Sequence, residues 1–346
     1  MSSKSILNNT LNYGFVRLVV AKPFLDELKR RGISFESSIA TLGLCASDFE
    51  DPTRYVHAET IYTLFETLAA TAQDPHLGYH VGSRLDFAEW PPFKTAVRKA
   101  NTVGEFMTEF ISSVPSEANS VKHELSVTSE GACYRVVRLI KTEASPRHTE
   151  AFGVAVFIRL FQAIAGSTWK PEQVSIKSAY SDALPKLVQD ARVSRKLEGG
   201  LELCFPTEWL YKPIQLNSVF KARNIPETQL AKDVSLLNVF RSSAQNVLHD
   251  LNSGLNEVAD SIGVTSELLE TALKSEGTSA AKEFRRLRVE AAKTRLRETG
   301  DKVSTIATDL GYSDPAHFTR FFRGQTGHSP REYRIAQQRD QTRSVV

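Results

Sequence analysis

The chain has 346 residues, enough at roughly 150 per domain for about two domains, and long enough to bury a core without disulfide or metal staples. With 41% hydrophobic and 24% charged residues it has a globular composition, which excludes collagen-like, coiled-coil and disordered classes. Net charge is only +3, so total charge alone carries no nucleic-acid argument.

The polar start MSSKSILNN has no signal-peptide core. Apolar runs such as residues 151–158 fall far short of the ~20 needed to span a bilayer, so a cytoplasmic protein with no membrane partner is expected. Three scattered cysteines, Cys45, Cys133 and Cys204, contain no C-x-x-C pair. They argue against a disulfide framework and a zinc site, and fit a reducing cytosol.

Residues 15–30 read as a helix with Phe15, Leu18, Phe24, Leu25 and Leu28 among its apolar positions, kinked or divided at Pro23. A second helix is expected over 60–70, with Ile61, Leu64, Phe65 and Leu68 on one face. His76 and His80 have the i, i+4 spacing of two metal ligands. No neighbouring carboxylate or cysteine completes a set and Gly78 weakens the helix, so both are read as structural, with no metal and no cofactor expected. Phe87, Trp90 and Phe93, broken by Pro91 and Pro92, form an aromatic cluster. It serves either as core or as the wall of an effector pocket, since such pockets are mostly apolar. Residues 121–127 and 132–140 flank a Ser-Glu-Gly turn and predict a β-hairpin, 147–165 a buried helix ending at Gly166, and 174–177 and 201–205 short strands. Alternation this irregular does not make a doubly wound sheet, so residues 1–220 are expected to form an α+β domain.

Beyond about residue 220 the strand signal stops. Residues 221–234 read as a connector, and 235–339 as an all-α domain. Charge is divided here: residues 244–276 hold one basic against six acidic residues, whereas 277–346 hold fourteen basic against eight acidic, with Arg285, Arg286, Arg288, Arg295 and Arg297 clustered. That stripe is either a phosphate-facing surface or a solvated helix face.

Residues 255–277 carry Val258, Ala259 and Ile262 on one face, Gly263 at a turn, Val264 as a plug, and Thr265 capping a helix with Leu268, Leu269, Ala272 and Leu273 inward. This is a helix-turn-helix pattern. Residues 303–322 repeat it, with Ile306, Ala307 and Leu310, the turn glycine Gly311, Tyr312 as plug, a Ser-Asp-Pro start, and Phe318, Phe321 and Phe322 inward. Between them, 279–298 predicts a helix with Phe284, Leu287, Ala291 and Leu296 buried. The outward faces nominate Ser266, Glu267, Glu270, Thr271 and Lys274 in the first unit, and Asp314, Ala316, His317, Thr319, Arg320 and Arg323 in the second.

Over 255–334 the sequence resembles the AraC/XylS type of bacterial transcription regulators, most specifically in IATDLGYSDPAHFTRFFRGQTGHSPREYR, residues 306–334. The resemblance implies a seven-helix domain that sets two recognition helices in successive major-groove segments. Residues 55–82 and 205–214 are similar, more loosely, to the larger non-cupin sensor domains of some members. The first unit departs from the family in presenting Glu267 and Glu270 where basic or polar residues are usual. A glutamate either reads cytosine N4 or stabilises the helix N-terminus.

The resulting expectation is a transcription regulator, not an enzyme: no phosphate loop, nucleophile elbow or H-E-x-x-H is present. Its N-terminal domain would bind a small-molecule effector; the alternative is a domain that only dimerises or binds a protein partner. Double-stranded promoter DNA, RNA polymerase in the case of an activator, and a second copy of the chain complete the implied partners.

Overall fold

The computed structural model describes residues 14–343 apart from 88, 130, 189–190, 196–199, 215–233 and 252–253. The chain divides between Ser235 and Leu236 into two compact units. Nearly all of the expected connector lies outside the described residues.

The N-terminal unit is α+β. Strand β1 (Phe15–Arg17) pairs antiparallel with β2 (Tyr55–His57). The second sheet runs β3 (Val121–Thr128), β4 (Gly131–Arg138), β7 (Leu201–Phe205), β5 (Ser175–Ser178) and β6 (Arg192–Arg195) in spatial order, antiparallel except for β5 with β6. Its helices are α1 (Lys22–Arg30), α2 (Glu36–Ala40), α3 (Ala58–Thr71), α4 (Leu77–Arg84), α5 (Pro91–Lys99), α6 (Val103–Ser113) and α7 (Arg147–Ala165).

Helix α7 is the core of this unit. Its Phe157 meets Tyr134 of β4 at 4.3 Å between ring centroids, and Phe161 meets Phe205 of β7 at 4.5 Å, so α7 lies across the sheet. Residues 147–168 are in fact long and apolar enough, at mean hydropathy 1.5, to cross a membrane by length and composition. That corrects the expectation drawn from short apolar runs. Within the fold these residues are spent on packing: Val154, Phe157, Leu160 and Phe161 are at most 2% exposed.

Two other expectations are corrected and a third, on Gly78, is extended. The helix expected over 15–30 is strand β1, a 3-10 turn (Leu18–Ala21) and then α1; Pro23 sits in the first turn of α1, where its missing N–H costs nothing, and does not kink it. Cys133 and Cys204, 71 residues apart in sequence, are register partners on β4 and β7 with Cα atoms 4.1 Å apart, and are joined as a disulfide. Linear spacing could not bring them together, and the cysteines no longer argue for a reducing compartment. Gly78 does not merely weaken α4. A Cβ there would lie 2.1 Å from the His148 carbonyl oxygen, and one at Gly82 would lie 2.5 Å from that of Phe152. The two glycines, one turn apart, let α4 cross α7 backbone to backbone.

The C-terminal unit is all-α: α8 (Leu236–Gln245), α9 (Leu255–Ile262), α10 (Ser266–Ser275), α11 (Ala280–Glu298), α12 (Val303–Asp309), α13 (Pro315–Thr326) and α14 (Pro330–Arg343). Val258, Ala259, Ile262, Leu269 and Leu273 are fully buried in the first helix pair, as are Ile306, Ala307, Phe318 and Phe322 in the second. Leu268 and Phe321 are only partly buried, and on α11 Ala292 takes the inward place expected of Ala291.

Candidate functional site

Two features stand apart from ordinary packing: the outward faces of α10 and α13, and a cavity in the N-terminal unit.

Helix α13 starts at Asp314, whose carboxylate accepts from the backbone N–H groups of Ala316 (2.8 Å) and His317 (3.2 Å), with Pro315 at its first position. The cap fixes the helix start and the Tyr312 plug fixes its roll. Tyr312 is 4% exposed, with its ring 5.4 Å from that of Phe318 and 5.3 Å, edge-on, from that of His317. The outward face then presents Ala316, His317, Arg320 and Arg323 to solvent. Thr319 is half-buried, and its hydroxyl donates back to the Pro315 carbonyl. Arg320 approaches Asp314 only at 4.0 Å with both side chains largely in water, an ion pair too weak to hold the guanidinium back from a ligand.

The first unit is built alike but charged differently. Thr265 caps α10 by accepting from Leu268 N–H, and Gly263 turns the chain with φ 76°. Of its nominated residues, Ser266 is occupied in a hydrogen bond to Asn256 of α9, and the Thr271 hydroxyl donates to the Glu267 carbonyl. Lys274 pairs with Glu270 at 3.1 Å, which partly cancels the one basic charge on this face. Glu267 is exposed.

The arginine stripe between the units is largely structural. Arg288 is 9% exposed and donates to the Asp250 carbonyl; Arg295 bridges Asp301 and Asp309; Arg297 meets Glu298 and Arg286 approaches Glu283. Arg334, the last residue of the family-like motif, donates to the carbonyls of Leu296 and Asp301 and so closes the end of α11. Arg285 of the same stripe stays exposed, and α13 exposes His317, Arg320 and Arg323 as well.

The cavity lies between the sheet, α3, α5, α6 and α7, and holds about 170 Å³. Its wall is mainly aromatic and aliphatic, and includes Trp90 and Phe93 of the nominated cluster. Phe87 is not in the wall. It packs edge-on against Phe93 at 5.4 Å, under the Arg159 guanidinium. The polar part of the wall was not foreseen from sequence. Arg138, at the end of β4, donates to the Tyr62 hydroxyl (3.0 Å) and to Glu150 (2.6 Å), and Glu150 also accepts from Ser178. Glu117, 8% exposed, has Arg17 at 3.5 Å; burial pushes its carboxyl up, against the opposing pull of that arginine. Glu117 Oε2, Arg138 Nε and Thr149 Oγ1 are buried and have no hydrogen-bond partner. Deeper on the sheet, the Tyr134 hydroxyl and His123 Nδ1 share a hydrogen bond of 2.6 Å, and burial holds that imidazole down to about 4, hence neutral.

The two histidines set aside earlier do not meet as a ligand pair. His76 contacts the Ala183 carbonyl, and His80 pairs at 2.7 Å with Asp74, a neighbouring carboxylate that corrects the sequence expectation of none. Among the described residues one group has metal-ligand proximity, Cys133, Glu202 and Cys204, and its two sulfurs are bonded to each other.

Residues 258–336 match the family described as a helix-turn-helix domain, and residues 32–185 match the arabinose-binding domain of AraC transcription regulators, N-terminal. The chain is 32% identical over 105 residues to the transcriptional activator NphR of Rhodococcus sp, covering 30% of this chain and 31% of that protein. It is 37% identical over 78 residues to the HTH-type transcriptional activator RhaS of Escherichia fergusonii, covering 22% and 28%. The match thus spans about a third of these curated relatives. Among solved structures, transcriptional regulator CdpR from Pseudomonas aeruginosa aligns with 92% of this chain and 98% of its own at 17% identity and TM-score 0.38. The DNA-binding domain of AdpA, in complex with a target DNA, aligns with 30% and 93% at 22% identity and TM-score 0.26.

Proposed function

We propose, from the match of residues 32–185 to the N-terminal domain of AraC transcription regulators and of residues 258–336 to a helix-turn-helix family, that the chain is a sequence-specific DNA-binding transcription regulator controlled by a small molecule in its N-terminal unit. The observation that carries the DNA-binding half is the α13 face. There a capped helix N-terminus presents His317, Arg320 and Arg323 to solvent on a rigid aromatic core. A helix entering the major groove reads base edges from its N-terminal residues, and arginine is suited to guanine O6 and N7. His317 and Arg320 are the proposed base readers and Arg323 a phosphate contact. Asp314 and Thr319 position the helix, while Ala316 allows close approach. On α10, Glu267, Glu270, Thr271, Ser266 and Lys274 form the second, weaker contact.

The cavity, with its unfilled polar groups, favours an effector over a domain that only associates. A ligand acts only by binding one state of the protein better than another, so effector and promoter affinity must be coupled. RNA polymerase at activated promoters and a second copy of the chain are the further partners in this proposal, and the cytoplasm is the place of action. Footprinting of the full-length chain on DNA recovered by genomic occupancy mapping tests it. Two recognition helices about 34 Å apart should protect roughly 15 to 20 base pairs. Protection of half that length would limit docking to one unit, and none would overturn the assignment.

A further inference from the structure

The cavity has a definite chemistry. Its volume, about 170 Å³, slightly exceeds the ~150 Å³ apolar cavity that admits benzene, so it suits one ring with a short substituent. Phe24, Phe65, Trp90, Phe93, Phe110 and Phe157 supply aromatic faces and edges around that space. The polar wall is small and holds three buried groups without partners: an acceptor, Glu117 Oε2; a donor, Arg138 Nε; and the Thr149 hydroxyl. Buried polar atoms are nearly always satisfied, so three in one cavity point to a missing partner.

We propose that the effector is a compact, uncharged, hydroxyl-bearing aromatic molecule, a substituted phenol or aryl alcohol. Its ring lies among the aromatic walls, and its hydroxyl faces Glu117, Arg138 and Thr149. This rests on the effector half of the proposed function. A hydroxyl donates once and accepts twice, which matches one acceptor and two donors. Charge excludes the alternatives. Arg138 is already neutralised by Glu150, and Arg17 stands beside Glu117, so an ionised head would be buried without a counter-charge of its own. A pentose, the ligand in the description of the matched N-terminal family, fails on count. It has four hydroxyls for three groups, and the surplus would face rings, each costing roughly 5- to 100-fold in affinity.

Isothermal titration of the full-length chain without DNA, using 4-ethylphenol, ethylbenzene, 4-ethylbenzoate and L-arabinose, tests the assignment. The phenol should bind tightest, ethylbenzene about 2- to 10-fold or more weaker for lack of the hydroxyl, the ionised benzoate weaker than the phenol, and arabinose not at all. Thr149→Val keeps the volume and should lower phenol affinity about 2- to 10-fold while leaving ethylbenzene unchanged; Glu117→Gln should likewise narrow the gap between the two. Val156→Phe, filling the cavity from α7, should abolish binding of both. If its circular dichroism shows that it does not fold, the two isosteric variants carry the test alone. Arabinose binding in preference to the phenol, a phenol-to-ethylbenzene ratio unmoved by both isosteric variants, or no binding of either aromatic probe overturns the inference. Phenol binding that leaves the DNA footprint unaltered upholds the ligand chemistry and overturns its regulatory role; loss of the footprint alone strikes only the DNA-binding proposal.

Discussion

Replacing Gly311 by alanine should destabilise the C-terminal unit more than the same change at Gly327, although both glycines have left-handed backbones, φ 85° and φ 80°. A Cβ in that region costs about 1 to 2 kcal/mol at either site. At Gly327 nothing lies within 4 Å of the new atom, so strain is the whole effect. At Gly311 the Cβ would lie 2.8 Å from the Leu251 amide nitrogen and 3.0 Å from the His249 carbonyl oxygen. Both neighbours are backbone, in a segment that Arg288 holds through the Asp250 carbonyl, so they give way only at an overpacking cost of about 1 to 3 kcal/mol. Gly311→Ala should therefore cost roughly 2 to 5 kcal/mol against about 1 to 2 for Gly327→Ala. With a urea slope of about 2 kcal/mol/M, this lowers the midpoint by about 1 to 2.5 M for Gly311→Ala. All three tryptophans, Trp90, Trp169 and Trp209, lie before residue 235. Tryptophan fluorescence thus follows the N-terminal unit alone, and the shift should appear in far-ultraviolet circular dichroism but not in fluorescence. Equal shifts for the two variants would refute the steric argument.

A fragment of residues 235–339 should fold alone and give a purely helical circular dichroism spectrum, since its apolar faces are filled from within; a disordered or strand-rich spectrum would refute this. Burial holds His123 and His148 down to about 4, so the unfolded chain binds protons that the folded unit refuses between the ordinary value of 6.5 and about 4. Their contribution is complete above pH 6.5 and is lost as pH falls, by up to about 1.4 kcal/mol per unit per histidine, against the opposite sign of the raised Glu117; the fluorescence-detected urea midpoint should be lower at pH 5 than at pH 7. Arg320→Ala should weaken operator binding by ~1 to 3 kcal/mol and relax one base position, whereas Arg323→Ala should weaken all sequences alike and reduce the salt slope by about one, both read by fluorescence anisotropy. Glu270→Ala frees Lys274 and should leave non-specific affinity equal or higher; selective loss of operator binding would show instead that this helix reads bases.

Periodicity located what depends on local sequence. Helix α7 ends at Gly166 as its pattern requires, β3 and β4 flank their turn, and each helix-turn-helix carries its own cap, turn glycine and plug within about 20 residues. The short pair β1 and β2 left no such trace, because three residues are too few for alternation to show, and Phe15 and Leu18 also fit a helical face. Long-range chemistry was equally silent. The polar wall of the cavity takes Glu117 from the turn after α6, Arg138 from the end of β4 and Thr149 from the first turn of α7, residues that nothing in linear spacing links. The disulfide needs the β4–β7 register before its halves can meet. Trp90 and Phe93 were visible because Pro91 and Pro92 set them in one short aromatic run.

The charge division seen in the sequence acquires a different meaning once partners are assigned. The excess of arginine after residue 277 does not form a uniform basic surface, because Arg286, Arg288, Arg295, Arg297 and Arg334 are engaged with carboxylates or carbonyls of the same unit. What that engagement achieves is mechanical. Arg334 and Arg295 tie α11 to the segments before and within α12, and Arg241 of α8 meets Glu283, which also accepts from Thr278. These ties brace the 19-residue α11, about 28 Å long at 1.5 Å per residue, against α8, α12 and α14. Under the proposed function, a strut of that length suits two helices that would meet the duplex about one turn, 34 Å, apart. In that proposal specificity falls to the side chains that α13 exposes, His317, Arg320 and Arg323, while the arginines behind them serve to brace the helical unit.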